Sequence, residues 1–117
     1  MRVDVERQAW RMFLTQFGER NRMRPTRLEV IGKSGETETD FWLEDGLPLR
    51  GTSLDTEGCD APHVEIMLDG ATSHAASHLT HAVARVRRLG YEALDAEHDN
   101  ALEVEDEDGK VTILRFE

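Results

Sequence analysis

Ala101-Leu102-Glu103-Val104-Glu105, Asp106-Glu107-Asp108-Gly109 and Lys110-Val111-Thr112-Ile113-Leu114-Arg115-Phe116 decide how the rest of the sequence is read. Leu102 and Val104 alternate with glutamates, the period of a strand with one wet face. The returning segment carries β-branched Val111, Thr112 and Ile113 and apolar side chains on both faces, which suits a strand covered on both sides. Asp108-Gly109 between two such runs is a hairpin signal. The end of the sequence therefore predicts a two-stranded ribbon inside a sheet.

Working outward, 117 residues form one domain, residues 1–117, large enough to bury roughly two-thirds of the unfolded surface. The hydrophobic fraction of 38% plus nine glycines supports a real core. Cys59 stands alone, which excludes an internal disulfide and a four-cysteine zinc site. It fits a reducing compartment. No apolar run approaches a membrane span and the first residues lack a signal-peptide core, so the expectation is a soluble cytoplasmic protein with no membrane partner.

Charge is segregated. The net charge is −10, yet residues 1–27 hold seven arginines against Asp4, Glu6 and Glu19. Residues 28–117 hold seven basic and twenty-one acidic side chains. Such an acidic body repels phosphates over most of its surface, so no nucleic-acid partner is expected. Lysine is limited to Lys33 and Lys110 beside twelve arginines. That pattern fits both a high-salt cytoplasm and simple codon bias.

The clearest helix comes first. Trp10, Phe13, Leu14 and Phe17 recur at i, i+3, i+4 and i+7 with Asp4 as a plausible N-cap. Rings on one helix face mean core, so this helix should lie over a sheet. A docking helix for a partner is the alternative. A polar connection over residues 20–27 leads to Leu28, Val30 and Ile31, a strand closed by Gly32-Lys33-Ser34-Gly35. That loop matches the tail of a P-loop, but Arg27 stands where the earlier glycine belongs and no helix follows, so it is a hairpin turn. Phe41-Trp42-Leu43 precedes a turn at Glu44-Asp45-Gly46. Leu47, Leu49 and Leu54 flank another extended piece, and Val64 to Leu68 forms a strand.

Residues 71–92 admit two structures. As a helix, with Ser73 capping and Gly90 ending it, His74, His78 and His81 fall on one side at i, i+4 and i+7. Three imidazoles there, with His63 or a carboxylate, would suit a divalent metal. As strands, the histidines divide between faces and no such site follows. The metal reading stands or falls on secondary structure here.

His78-Leu79-Thr80-His81, the Ile66-Met67-Leu68 strand, and Ala101-Leu102-Glu103-Val104 with Asp108-Gly109 and Leu114-Arg115-Phe116 resemble a small bacterial family, domain of unknown function 5335. Trp10, Phe13 and Phe17, and Leu47-Pro48-Leu49 with Gly51, fit the same pattern. The resemblance implies a leading helix followed by a run of strands, and no activity. Members carry prolines just after the His-Leu-Thr-His stretch, which favours extended chain. Here Ala84-Arg85-Val86 replaces them, yet the reading sides with strands.

Catalytic patterns are weak. There is no Gly-x-Ser-x-Gly elbow, and Cys59 with His63 four residues on lies within a single loop. Asp106-x-Asp108 is out of register for a calcium loop. The sequence thus points to an α+β fold, an N-terminal amphipathic helix packed on a mostly antiparallel sheet of about six to eight short strands, curling toward a barrel. It points to a non-enzymatic binding or assembly module without cofactor, acting by self-association or on a protein partner. The alternative is a metal-binding protein using His74, His78, His81 and His63.

Overall fold

The computed structural model describes residues 2–34, 37–69, 78–93 and 98–116, with the backbone alone for 33, 34, 37–45 and 78. The chain starts with β1 (Arg2–Asp4), a 3-10 turn over Arg7–Ala9 and the helix α1 (Trp10–Arg20). Then come β2 (Pro25–Ser34), β3 (Thr37–Asp55), β4 (His63–Asp69), β5 (His78–Val83) and β6 (Val86–Ala93). The terminal ribbon is β7 (Asp99–Asp106) and β8 (Val111–Phe116). Its register, Leu102 opposite Leu114 and Val104 opposite Thr112, is the hairpin the sequence predicts.

All pairings are antiparallel, in the order β1-β6-β7-β8-β2-β3-β4-β5. Among the described residues the fold is mostly β, with one short α-helix. Residues 78–93 are strands, paired on β4 and β7, so sheet pairing overrides the local helical pattern of this stretch. Among the described residues β5 does not pair with β1, and the sheet stays open rather than closing into a barrel. The chain nevertheless brings its two flanks together. β5 lies at one edge and β6 next to the other, yet only Ala84 and Arg85 separate them. Three residue steps reach at most about 11 Å, so the sheet has to curl. Arg85, at φ 50, and Val86 donate their backbone N–H groups to the carbonyls of Asp60 and Pro62, pinning that corner.

The strands are not all short. β3 runs for 19 residues, where the sequence suggests separate pieces and a turn at Glu44-Asp45-Gly46. Thr26 faces Leu47 and Arg27 faces Asp45, so Gly46 is the extra residue of a β-bulge. Its φ of +93 is the left-handed conformation glycine supplies without steric cost. A second shift leaves Leu43 between the partners of Leu28 and Glu29. Bulges bend and twist a strand, which lets β3 pair with β2 along its first half and with β4 along its second.

The core lies inside this curve. Leu28, Leu49, Ile66, Leu89, Leu102 and Leu114 are fully buried, and α1 fills the concavity with Trp10, Leu14 and Phe17. Each such side chain contributes about 1.5–3 kcal/mol by leaving water. The helix sits so close to β3 that a Cβ on Gly18 would lie 2.7 Å from the Thr52 nitrogen. At the same crossing the Thr52 hydroxyl donates to the Leu14 carbonyl at 2.6 Å. Asp4 is not the N-cap. It lies in β1 opposite Gly90, while Ala9 precedes α1 and makes no side-chain capping bond.

Candidate functional site

Two features of α1 build a candidate surface. The first is an anchor at its C-terminal end. Asp99, 5% exposed, accepts from Arg20 Nε at 2.6 Å and Arg20 Nη2 at 3.1 Å, a bidentate pair, and from Asn21 Nδ2 at 2.7 Å. Asn21 Nδ2 also donates at 2.9 Å to the Phe17 carbonyl, which accepts the Asn21 backbone N–H as well. Arg24 Nη1 donates to Asn21 Oδ1 at 2.7 Å and to the Asp99 carbonyl at 2.9 Å. The Arg20 guanidinium carbon also lies 5.5–5.9 Å from the rings of Phe13, Phe17 and Tyr91. Arg24 packs over Phe116 at 4.2 Å. Cation–ring contacts and charge-assisted bonds thus lock the helix end onto β7 and β8.

The second feature is a groove of about 370 Å³ along the other flank of α1. Ala9, Met12, Phe13 and Gln16 face it, the i, i+3, i+4, i+7 row beside the buried stripe. Val3, Val5 and Tyr91 form the opposing wall. Phe13 and Tyr91 stack at 5.0 Å between centroids, making a firm floor. Met12 is 68% exposed, a large apolar side chain left in water at the lip. Among the described residues, the charged side chains lining the groove are Asp4 and Glu6.

The groove is held open by specific bonds. Trp10 Nε1 donates to the Val5 carbonyl at 2.8 Å, and the Val5 N–H donates to Leu89 at 2.8 Å. Arg88 joins Asp4 at 3.1 Å and Glu105 at 3.2 Å, tying β1 to β6 and β7. Burial pushes the Glu105 carboxyl up, but hydrogen bonds and charge from Arg87 and Arg88 outweigh it and the net shift is downward. Among the described residues β1 is one of the two edges of the sheet, and its Val3 and Asp4 line the groove.

The histidines are placed differently from a three-imidazole stripe. His78 and His81 belong to β5, opposite Asp69 and Ile66, so helical spacing does not apply to them. His63 starts β4, six residues from Asp69, roughly 20 Å along a strand. It lies three positions from Ile66, and alternation puts it on the face away from His81. The structure therefore does not bring His63, His78 and His81 together, and His74 lies outside the described residues. Among the described residues no three His, Cys, Asp or Glu side chains form a metal-binding group. His81 is half-buried and its pKa is lowered, by desolvation first and then by Lys110. His63 Nδ1 is buried without a hydrogen-bond partner. Cys59 is an exposed free thiol.

Sequence reasoning missed Asp99, Tyr91 and the groove. Asp99 is one carboxylate among twenty-four acidic side chains, and its partners lie 78 and 79 residues away. Met12 offered a signal, being an apolar side chain just off the aromatic stripe. Comparison with protein-family models, curated proteins and solved structures finds no match. No helix among the described residues is long and apolar enough to cross a membrane.

Proposed function

We propose that this protein is a non-enzymatic binding module, and that the groove between β1 and α1 receives an extended segment of a protein partner. The observation that carries this reading is Met12, 68% exposed at the lip of an apolar groove floored by stacked rings. An apolar surface of this kind, rimmed by polar groups, is what a partner covers. The adjoining edge of β1 offers backbone groups for an added strand, with side-chain pockets supplied by the groove. Glu6 at the rim, where Asp4 is already joined to Arg88, favours lysine or arginine beside the apolar side chains of the segment. A second copy is the poorer occupant, because two chains of charge −10 repel. The resemblance to domain of unknown function 5335 brings no activity that competes with this reading.

Selection from a displayed peptide library tests it. Enriched peptides should alternate apolar residues with lysine or arginine, and should lose binding to Met12→Asp and Val5→Asp proteins. Peptides that bind these variants as well as the original would refute the site. A concentration-dependent dimer abolished by Met12→Asp would replace the partner with a second copy.

A further inference from the structure

A cleft of about 310 Å³ is lined by residues of β2, β5, β7 and β8 and of the β5–β6 and β7–β8 connections. Its apolar floor is Val30, Val83 and Ala84, and Thr112 lies among them. Four charged side chains and His81 line its walls, and the charges are not equally answered. Asp106 Oδ1 accepts the backbone N–H groups of Asp108 at 2.9 Å and Lys110 at 3.0 Å. Asp108 takes Arg85 Nη2 at 3.0 Å. Asp108 is thus paired with a cation, while Asp106 is held by backbone donors and keeps its charge, so the lining is neutral as a whole. The Lys110 ammonium and the His81 side chain make no hydrogen bond or ion pair among the described residues, although both line the same space.

We infer that this cleft binds a small organic carboxylate, its anionic end between Lys110 and His81 and its apolar body on Val30, Val83 and Ala84. Lys110, whose ammonium no carboxylate of the cleft pairs with, supplies the cation that the carboxylate meets. The half-buried imidazole supplies a hydrogen bond to the second carboxylate oxygen. The floor removes apolar surface from water, which inorganic anions cannot exploit. The cleft admits a ligand of roughly a dozen heavy atoms by volume. The site is independent of the groove beside α1, so either can fail without the other.

Benzoate titrated into the isotope-labelled protein, followed by amide NMR, tests the assignment. Saturable shifts should appear at Ala84, Lys110 and Thr112 with millimolar affinity, and Lys110→Met should weaken binding about fivefold, the weight of one partly exposed ion pair. Arg22→Gln, away from the cleft, should leave the affinity unchanged. Benzamide and inorganic phosphate divide the two halves of the claim. Benzamide binding as tightly as benzoate would remove the role of charge, and phosphate binding as tightly would remove the role of the floor. Absence of saturable shifts with benzoate, or equal affinity in Lys110→Met, overturns the site altogether.

Discussion

Replacing Asp99 by alanine tests whether the helix is held by its polar end or by its rings. The carboxylate receives three bonds, two from one guanidinium and one from Asn21. Severing a buried ion pair costs about 3–5 kcal/mol when the surviving charge stays buried. Here the Arg20 side chain is 42% exposed and can turn to water, which reduces that cost. Asn21 keeps its bond to the Phe17 carbonyl, and Arg24 bonds the Asp99 backbone, which alanine retains. The expected loss is therefore about 2–3 kcal/mol, or roughly 10 °C in Tm for a chain of this size. Urea unfolding followed by fluorescence of buried Trp10 measures it. Arg20→Ala and the double variant complete a cycle, and the coupling should exceed about 1 kcal/mol. A loss under about 0.5 kcal/mol for Asp99→Ala would show that the aromatic contacts alone seat the helix.

Three further outcomes follow from other contacts. Gly18→Ala should destabilise by about 1–3 kcal/mol although alanine favours helix, because the added methyl meets the β3 backbone, which cannot swing aside. Gly46→Ala has open space around it and should cost only about 1 kcal/mol, from the positive φ, while Gly46→Asn should cost less. Thermal melts of the three variants rank them. Glu105 has a carboxyl held below its ordinary value of 4.5, so its contribution is complete above that pH and disappears as pH falls through the lower folded value. Glu105→Gln should thus be less stable at about pH 7, with the gap narrowing as the pH is lowered beneath 4.5, as urea titrations across that range would record. An unchanged gap would mean that the Arg87 and Arg88 bonds do not act through charge.

The parts of the fold legible in the sequence are those whose partners lie close in the chain. The β7–β8 ribbon, the strand at Val64–Leu68 and the stripe of Trp10, Leu14 and Phe17 each carry their period within a dozen residues, and each is where the pattern places it. β3 was harder, because Glu-Asp-Gly has the same local chemistry in a bulge as in a turn. Whether the chain reverses there depends on β2 lying alongside. β1 has only three residues, too few for a period, and exists because β6 offers a ladder almost ninety positions later. The groove needs both β1 and Tyr91 beside α1, so no single window of sequence contains it. The imidazole stripe drawn for a helix lost its geometric basis at His78 and His81 once β4 captured that segment.

The two-residue corner between β5 and β6 has a mechanical meaning. Elsewhere neighbouring strands are sewn by backbone ladders, but at this seam, among the described residues, the covalent chain, the Asp60 and Pro62 carbonyls, the Glu107 N–H on the Arg85 carbonyl and the Arg85–Asp108 pair restrain the gap. Widening the seam therefore breaks few bonds, and a single glycine inserted after Ala84 should loosen the curl without unpicking any strand. The length of that tether works as a gauge, setting the bore of the half-cylinder into which α1 fits.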